Sequence, residues 1–304
     1  MQVISSFAKG VGTANKKSKM LVYLWLANFV FALLVVTPLF FLFQKHFSRS
    51  LMQARFGQGF DMLWLGDVLY KFREVGPAVL GSFLAPALLY FLVYIFLNGG
   101  ILGRIAAHGE KVELSGFLSD CGKYFFRFFR VFLISIAGYA IVFAGLMKLV
   151  GIPLNAWTEN ASSEWPLIFS ANIRFLVLIL LFSSVRMFFD YVRVRLVVED
   201  SRKTVKATIK TFGFLGKRFF KAWFLYLWVG LVLVFFLIVF TIVFRTIPKQ
   251  GFLFVIAFLW QQAYILSRLW TRLLFFSTEY HFYRMNTEIP AANPEEDQIP
   301  SLSG

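Results

Sequence analysis

Cysteine is almost missing from this chain. Cys121 is the only one, so no intrachain disulfide can form. Histidine is nearly as scarce. His46, His108 and His281 stand far apart, without Cys or carboxylate neighbours at ligand spacing. A metal site needs convergent donors, so no metal and no other cofactor is expected. No glycine-rich phosphate loop precedes a helix, and no serine can be matched with a base. Without a catalytic set, the chain reads as a non-enzyme. Charge is sparse too, at 15% of residues, against roughly 25% in an ordinary soluble domain.

Apolar residues are abundant: 59% are hydrophobic and 40 are Phe. They fall in runs of about 20 residues or more, the length that crosses roughly 30 Å of hydrocarbon. Six such runs cover residues 20–43, 77–103, 128–150, 166–189, 222–244 and 251–277. The expected fold class is an all-α, polytopic membrane helical bundle with six transmembrane helices and amphipathic interfacial helices. The first run is too long for the apolar core of a cleaved signal peptide, and no small-x-small site follows it. It is expected to stay as a signal anchor. The six-span domain occupies 1–284, and the proline-rich, acidic stretch 285–304 is expected to be a disordered tail.

The net charge of +15 admits two readings, nucleic acid or an anionic membrane surface. The placement of the charges favours the membrane surface, and no nucleic acid is expected. With six spans, most of the 31 Lys and Arg residues fall on the side of both termini, which sets that side as cytoplasmic. The densest cluster lies in 186–221. From Ser201 onward, Val205, Thr208, Ile209, Phe212, Leu215 and Phe219 share one helical face. Lys203, Lys206, Lys210, Lys217 and Lys221 lie opposite, with Asp200 placed before the first turn, where a negative charge suits the helix dipole. This pattern suits a helix lying flat on anionic lipid. Arg202, Lys203, Lys206, Lys210, Lys217, Arg218 and Lys221, joined by Lys123 and Arg127, form the candidate surface for lipid or for an acidic partner.

Smaller amphipathic segments accompany it. Val3, Ile4, Phe7 and Val11 give residues 1–19 a weak apolar face. A helix over 61–75, capped by Asp61, fits the outer leaflet or, alternatively, a gate or docking element. Ser115 is an expected N-cap, followed by Phe117, Cys121, Tyr124, Phe125 and Phe128 on one side. Trp157 and Trp165 suit the headgroup layer of a short outer loop over 151–165.

Polar residues inside spans must face the bundle or water. Gln261 and Gln262 lie near the middle of the sixth span, with Arg268 and Arg272 deeper. Asp190 is the expected partner of Arg268, with Arg186 competing at i to i+4 spacing. These six form either a polar cavity or interhelical glue with snorkelling side chains. Arg174 reaches the outer interface or pairs with Glu164. Pro86 is expected to kink the second span or to mark a break at a binding site. Gly99, Gly100 and Gly103 permit close helix contact.

Two short patterns recur. Gly122-Lys123-Tyr124-Phe125-Phe126-Arg127 precedes the third span, and Gly216-Lys217-Arg218-Phe219-Phe220-Lys221 precedes the fifth. Asp190-Tyr191 followed by Arg193, and Glu279-Tyr280 followed by Arg284, come after the fourth and sixth. Three hairpin repeats over 1–103, 104–190 and 191–284 would explain them, as would the common need for basic and aromatic residues at interfaces.

The run Arg193-Val194-Arg195-Leu196-Val197-Val198-Glu199-Asp200, followed by Lys206-Ala207 and preceded by Asn98-Gly99-Gly100, resembles uncharacterised bacterial six-span membrane proteins. Some of these are similar to the membrane domain attached to glycerophosphodiester phosphodiesterases. The resemblance implies a bacterial inner-membrane location. It implies no phosphodiesterase activity, because the soluble catalytic domain is absent from this sequence. The expected role is a non-enzymatic subunit that contacts anionic lipid and assembles with a protein partner or another copy. The alternative is a transporter or lipid-handling protein using Pro86, Gln261, Gln262 and Arg268 around a polar cavity.

Overall fold

The computed structural model describes residues 2–47, 70, 76–107, 112–159, 163–247 and 252–287. The outer-side helix expected over 61–75 (Tyr70 apart), His108 and the tail beyond 287 lie outside them. The described elements are α1 (Gln2–Lys16), α2 (Lys19–Phe47), α3 (Gly76–Ala106), α4 (Leu114–Glu159), α5 (Trp165–Val198), α6 (Thr204–Thr246) and α7 (Leu253–Asn286). The helices α2 to α7 are each long and apolar enough to cross a bilayer. The chain is an all-α, polytopic membrane bundle with α1 as an additional short helix.

Helix boundaries differ from the sequence expectation in one consistent way. Segments expected as separate surface helices or loops are continuous with the spans. α4 absorbs the residues before the third span and most of the expected outer loop, staying helical past Pro153 to Glu159. At 1.5 Å per residue it is roughly 69 Å long, more than twice the hydrocarbon thickness. α5 continues to Val198. α6 joins the amphipathic segment to the fifth span through a kink at Arg218, whose φ of −135° and ψ of 16° are non-helical. α3 is helical on both sides of Pro86. At the start of α4, the Phe117 amide donates to the Glu113 carbonyl at 3.0 Å, so Ser115 falls inside the first turn and does not cap it.

Burial by protein is concentrated at one end of the bundle. Ile101, Phe117, Phe128, Met187, Tyr191 and Tyr283 are fully enclosed there. Toward the other end, Leu33, Ile141, Leu149, Phe175, Leu231 and Phe252 are exposed. Lipid tails are as apolar as Leu, so the hydrophobic effect does not press helices together inside hydrocarbon. In water the same burial yields about 25 cal/mol per Å². Dense packing at one end and open helices at the other follow from that difference in solvent.

Close backbone approach builds the packed end. On α3, a Cβ placed on Gly100 would lie 2.7 Å from the Phe117 ring, and one on Gly103 would lie 2.6 Å from the Asp120 side chain. Gly99 faces Tyr124 and Cys121 of α4. The expected role of these glycines is borne out. Arg104 of α3 adds an ion pair to Asp120 at 2.5 Å.

α1 docks differently from the expectation. Its buried positions are the small residues Ser6, Gly10 and Ala14, one turn apart. A Cβ on Gly10 would come within 3.0 Å of the Thr278 backbone of α7. The apolar residues expected to lead are only partly covered, and Ile4 is 74% exposed. Polar contacts fix the register: Thr13 with His281 Nε2 at 2.8 Å, and Trp270 Nε1 donating to Asn15 at 2.8 Å.

Candidate lipid-contact surface and cationic cavity

The first fourteen residues of α6 carry three faces rather than two. Thr204, Ala207, Thr211, Phe214 and Leu215 are buried against the bundle. Val205, Ile209 and Phe212 are 63–73% exposed. Lys203, Lys206, Lys210 and Lys217 are exposed on a third side. At 100° per residue the three faces are roughly 120° apart. Leu215 belongs to the protein-facing side, not to the free apolar side with Phe212. The free apolar face ends near the kink at Arg218, beyond which Phe220 and Phe224 are exposed along the spanning part.

The other half of 186–221 lies at the centre of the packed end. Met187, Phe189, Asp190, Tyr191, Val192, Val194, Leu196 and Val197 are all buried. The charges there are paired. Asp190 binds Arg193 closely and reaches Arg186 at 4.0 Å, so its expected partner Arg268 is replaced by a residue three positions along its own helix. Arg195 pairs with Glu199 at 2.8 Å, and the Tyr283 hydroxyl donates to the same carboxylate at 2.9 Å.

Lys123 stays 47% exposed, while Arg127 leaves the candidate surface by burial. Both bind Asp200, at 3.4 Å and 2.6 Å. Asp200 follows the C-terminus of α5 with a positive φ of 40°, a conformation that Asp tolerates better than most residues. Its charge therefore serves α4. Partial burial raises the Asp200 carboxyl. The hydrogen bond and charge of Arg127, with the charge of Lys123, outweigh that and hold it below the usual carboxylate range. Arg218 is half-buried and donates to Asn286 at 3.0 Å. Arg202, Lys203, Lys206, Lys210, Lys217 and Lys221 stay exposed, as does Lys123 despite its ion pair.

The intramembrane polar residues divide. Gln262 accepts from Trp25 Nε1 at 2.9 Å, which is interhelical glue between α2 and α7. Gln261 is exposed. Arg174 donates to Asn155 at 2.5 Å, in place of the Glu164 alternative. Arg268, Arg272 and Arg186 converge with Asn28, Tyr90, Tyr94 and Thr271 around a cavity of about 330 Å³. Arg272 is held by Asn98 at 2.6 Å and lies 3.9 Å from the centre of the Tyr94 ring. Pro86 and the two glutamines do not line it.

Comparisons of the chain with family models, with curated proteins and with solved structures found no match. Function has to be read from the geometry of its own residues.

Glu279 was not singled out for a role by sequence reasoning. It is 1% exposed, and neither carboxylate oxygen has a hydrogen-bond partner among the described residues. The neighbouring Tyr191 hydroxyl likewise has no partner among the described residues. Its only sequence signal was the likeness of Glu279-Tyr280 to Asp190-Tyr191. No group of three or more His, Cys, Asp or Glu residues suited to a metal occurs among the described residues. An apolar groove of about 480 Å³ lies between α4, α5 and α6, lined by Gly138, Leu181, Phe188, Phe212, Leu215 and Phe219 among others. It places Phe212, on the free apolar face of α6, beside an apolar space.

Proposed function

We propose that the protein is a non-enzymatic, multi-pass subunit of the bacterial inner membrane that works by association on the cytoplasmic leaflet. The three-faced start of α6 carries this reading. One side grips the bundle, one offers apolar side chains, and the third presents lysines. Such a helix satisfies all three neighbours only at a boundary between protein, hydrocarbon and anionic headgroups. The basic face would attract anionic lipid or an acidic partner protein, and the open apolar halves of the spans would accept lipid or a further subunit. Both termini belong on the cytoplasmic side by the distribution of Lys and Arg. The short motif at 193–200 supports the bacterial assignment.

Gentle extraction followed by mass spectrometry of what co-purifies tests the reading. A partner at fixed stoichiometry supports it, and a chain that emerges alone and ignores anionic vesicles counts against it. The alternative, a lipid-handling protein, draws on the arginine-lined cavity between α2, α3, α5, α6 and α7.

A further inference from the structure

Three arginines, Arg186, Arg268 and Arg272, line the cavity, and among the described residues no acidic one does. Arg186 (51% exposed) and Arg268 open to the protein's outer face. Within a bilayer they meet hydrocarbon or this space rather than bulk water, and like charges brought together there are costly. Their present neighbours offset little of that cost. Asp190 is committed to Arg193 and meets Arg186 only at 4.0 Å. Arg272 is held by a neutral amide and a backbone carbonyl. Arg268 lies 6.0 Å from the centre of the Tyr264 ring. The cavity therefore carries positive charge that its own walls do not balance.

A second space of about 380 Å³ adjoins it, and the two share Arg186, Leu233 and Phe275. Its other walls include Leu178, Ile179 and Phe182. From Arg186 to Leu178 is roughly 12 Å along α5, directed away from the packed end. A charged pocket near the packed end thus opens into an apolar trough that leads toward the bilayer centre. That is the polarity of a lipid in the packed-end leaflet.

We propose that Arg186, Arg268 and Arg272 hold the phosphate of an anionic glycerophospholipid, with an acyl chain laid along Leu178, Ile179 and Phe182. Guanidinium groups match phosphate oxygens in charge and in two-point geometry. A zwitterionic headgroup would bring an extra cation to a site that already has too many. This site rests on the membrane reading but not on the lysine face of α6, and the two fail separately.

The test uses the full chain in mild detergent, exchanged free of native lipid. Short-chain phosphatidylglycerol, short-chain phosphatidylcholine and inorganic phosphate are the probes. Bound lipid is counted by native mass spectrometry, with a thermal midpoint for each sample. The expected result is one phosphatidylglycerol retained per chain, about tenfold over phosphatidylcholine. Arg268→Gln should abolish that preference. Its side chain makes no hydrogen bond among the described residues, so the fold should survive. Leu233→Trp, which fills the shared wall, should expel the lipid. If it fails to fold, Ile179→Trp, in the trough and away from the packed end, replaces it. A Lys206→Gln, Lys210→Gln double variant should retain the lipid unchanged.

Equal retention of the two lipids, or an Arg268→Gln variant indistinguishable from the lysine control, would overturn the site. Stabilisation by phosphate with no lipid retained would overturn the lipid assignment in favour of a soluble anion. Loss of vesicle preference in the lysine variant with lipid retention intact would leave this site standing and implicate the α6 surface separately.

Discussion

Arg127 of α4 donates to the Asp200 carboxylate at 2.6 Å, tying α4 to the turn between α5 and α6. The Arg127 side chain is 10% exposed and that of Asp200 is 58% exposed. Losing the acid therefore leaves a largely enclosed cation with a poorer partner. Asp200→Asn keeps a residue suited to positive φ and removes the charge. After discount for solvent screening, the loss should be about 1 kcal/mol. Asp200→Ala should cost about 1 kcal/mol more, because alanine resists that backbone conformation. The pH dependence has a definite sign. The folded carboxyl is held below its ordinary value, so its contribution is present above the unfolded pKa of about 3.9 and fades as pH falls through the lower folded value. Thermal midpoints in detergent should show the wild type losing its advantage over Asp200→Asn in that acidic window.

Glycines separate into those that pack and those that do not. Gly100 has Phe117 and Cys121 where a Cβ would go, whereas nothing lies within 4 Å of the corresponding point on Gly122. Gly100→Ala should destabilise by about 1–3 kcal/mol through overpacking. Gly122→Ala should be neutral or stabilising by up to about 1 kcal/mol from helix propensity. Thermal unfolding of the two variants should give midpoints on opposite sides of, or unequal distances from, that of the wild type. Gly122 and Gly216 both face open space, so close packing does not account for the glycine in either copy of the recurring motif.

The six spans were legible because run length alone sets them. The α3 glycines were legible because small residues at i, i+1 and i+4 leave one thin flank. The continuity of α4 and α6 was not, because amphipathic periodicity is the same whether a surface helix breaks from its span or runs into it. The burial of 187–197 was not legible for a related reason. Arginines that are paired and buried look, in a linear sequence, like arginines on a surface. The Asp190 and Arg193 spacing of three was the available clue. The bond from Arg272 to Asn98 joins positions 174 residues apart, and the cavity draws on five helices. No local pattern encodes such convergence. The third, protein-facing side of α6 was hidden because small and threonine residues make it, and a hydrophobicity plot gives them little weight.

Two buried acids should respond oppositely to removal. Asp190 offsets Arg193, 19% exposed, and, at longer range, the half-exposed Arg186, so Asp190→Ala leaves a largely enclosed cation without its partner and should cost about 2–3 kcal/mol. Glu279 has two buried oxygens with no hydrogen-bond partner among the described residues. Glu279→Met keeps the volume and removes the unsatisfied group, and should be neutral or stabilising by about 1–3 kcal/mol. Denaturation of the two variants in one detergent checks the contrast. A Glu279→Met variant as damaged as Asp190→Ala would mean that Glu279 bonds to something essential.

The apolar and basic faces of α6 make separable demands on the bilayer. Phe212 is 73% exposed on the side away from the lysines, so a Trp at that position should enter hydrocarbon and be quenched by lipids brominated on their chains. A Trp in place of Lys210 should be quenched weakly by the same lipids. The lysines act through charge. Replacing Lys203, Lys206, Lys210 and Lys217 by Gln removes four charges, each worth about 1 kcal/mol near an anionic surface at low salt. Association with anionic vesicles should fall steeply at low salt and converge with the wild type near 1 M, where the Debye length is about 3 Å. The quenching at Phe212→Trp should persist in that quadruple variant, since its depth depends on apolar burial. If quenching and vesicle preference vanished together, the charges would be holding the helix in place, and the independence of the two faces would be lost.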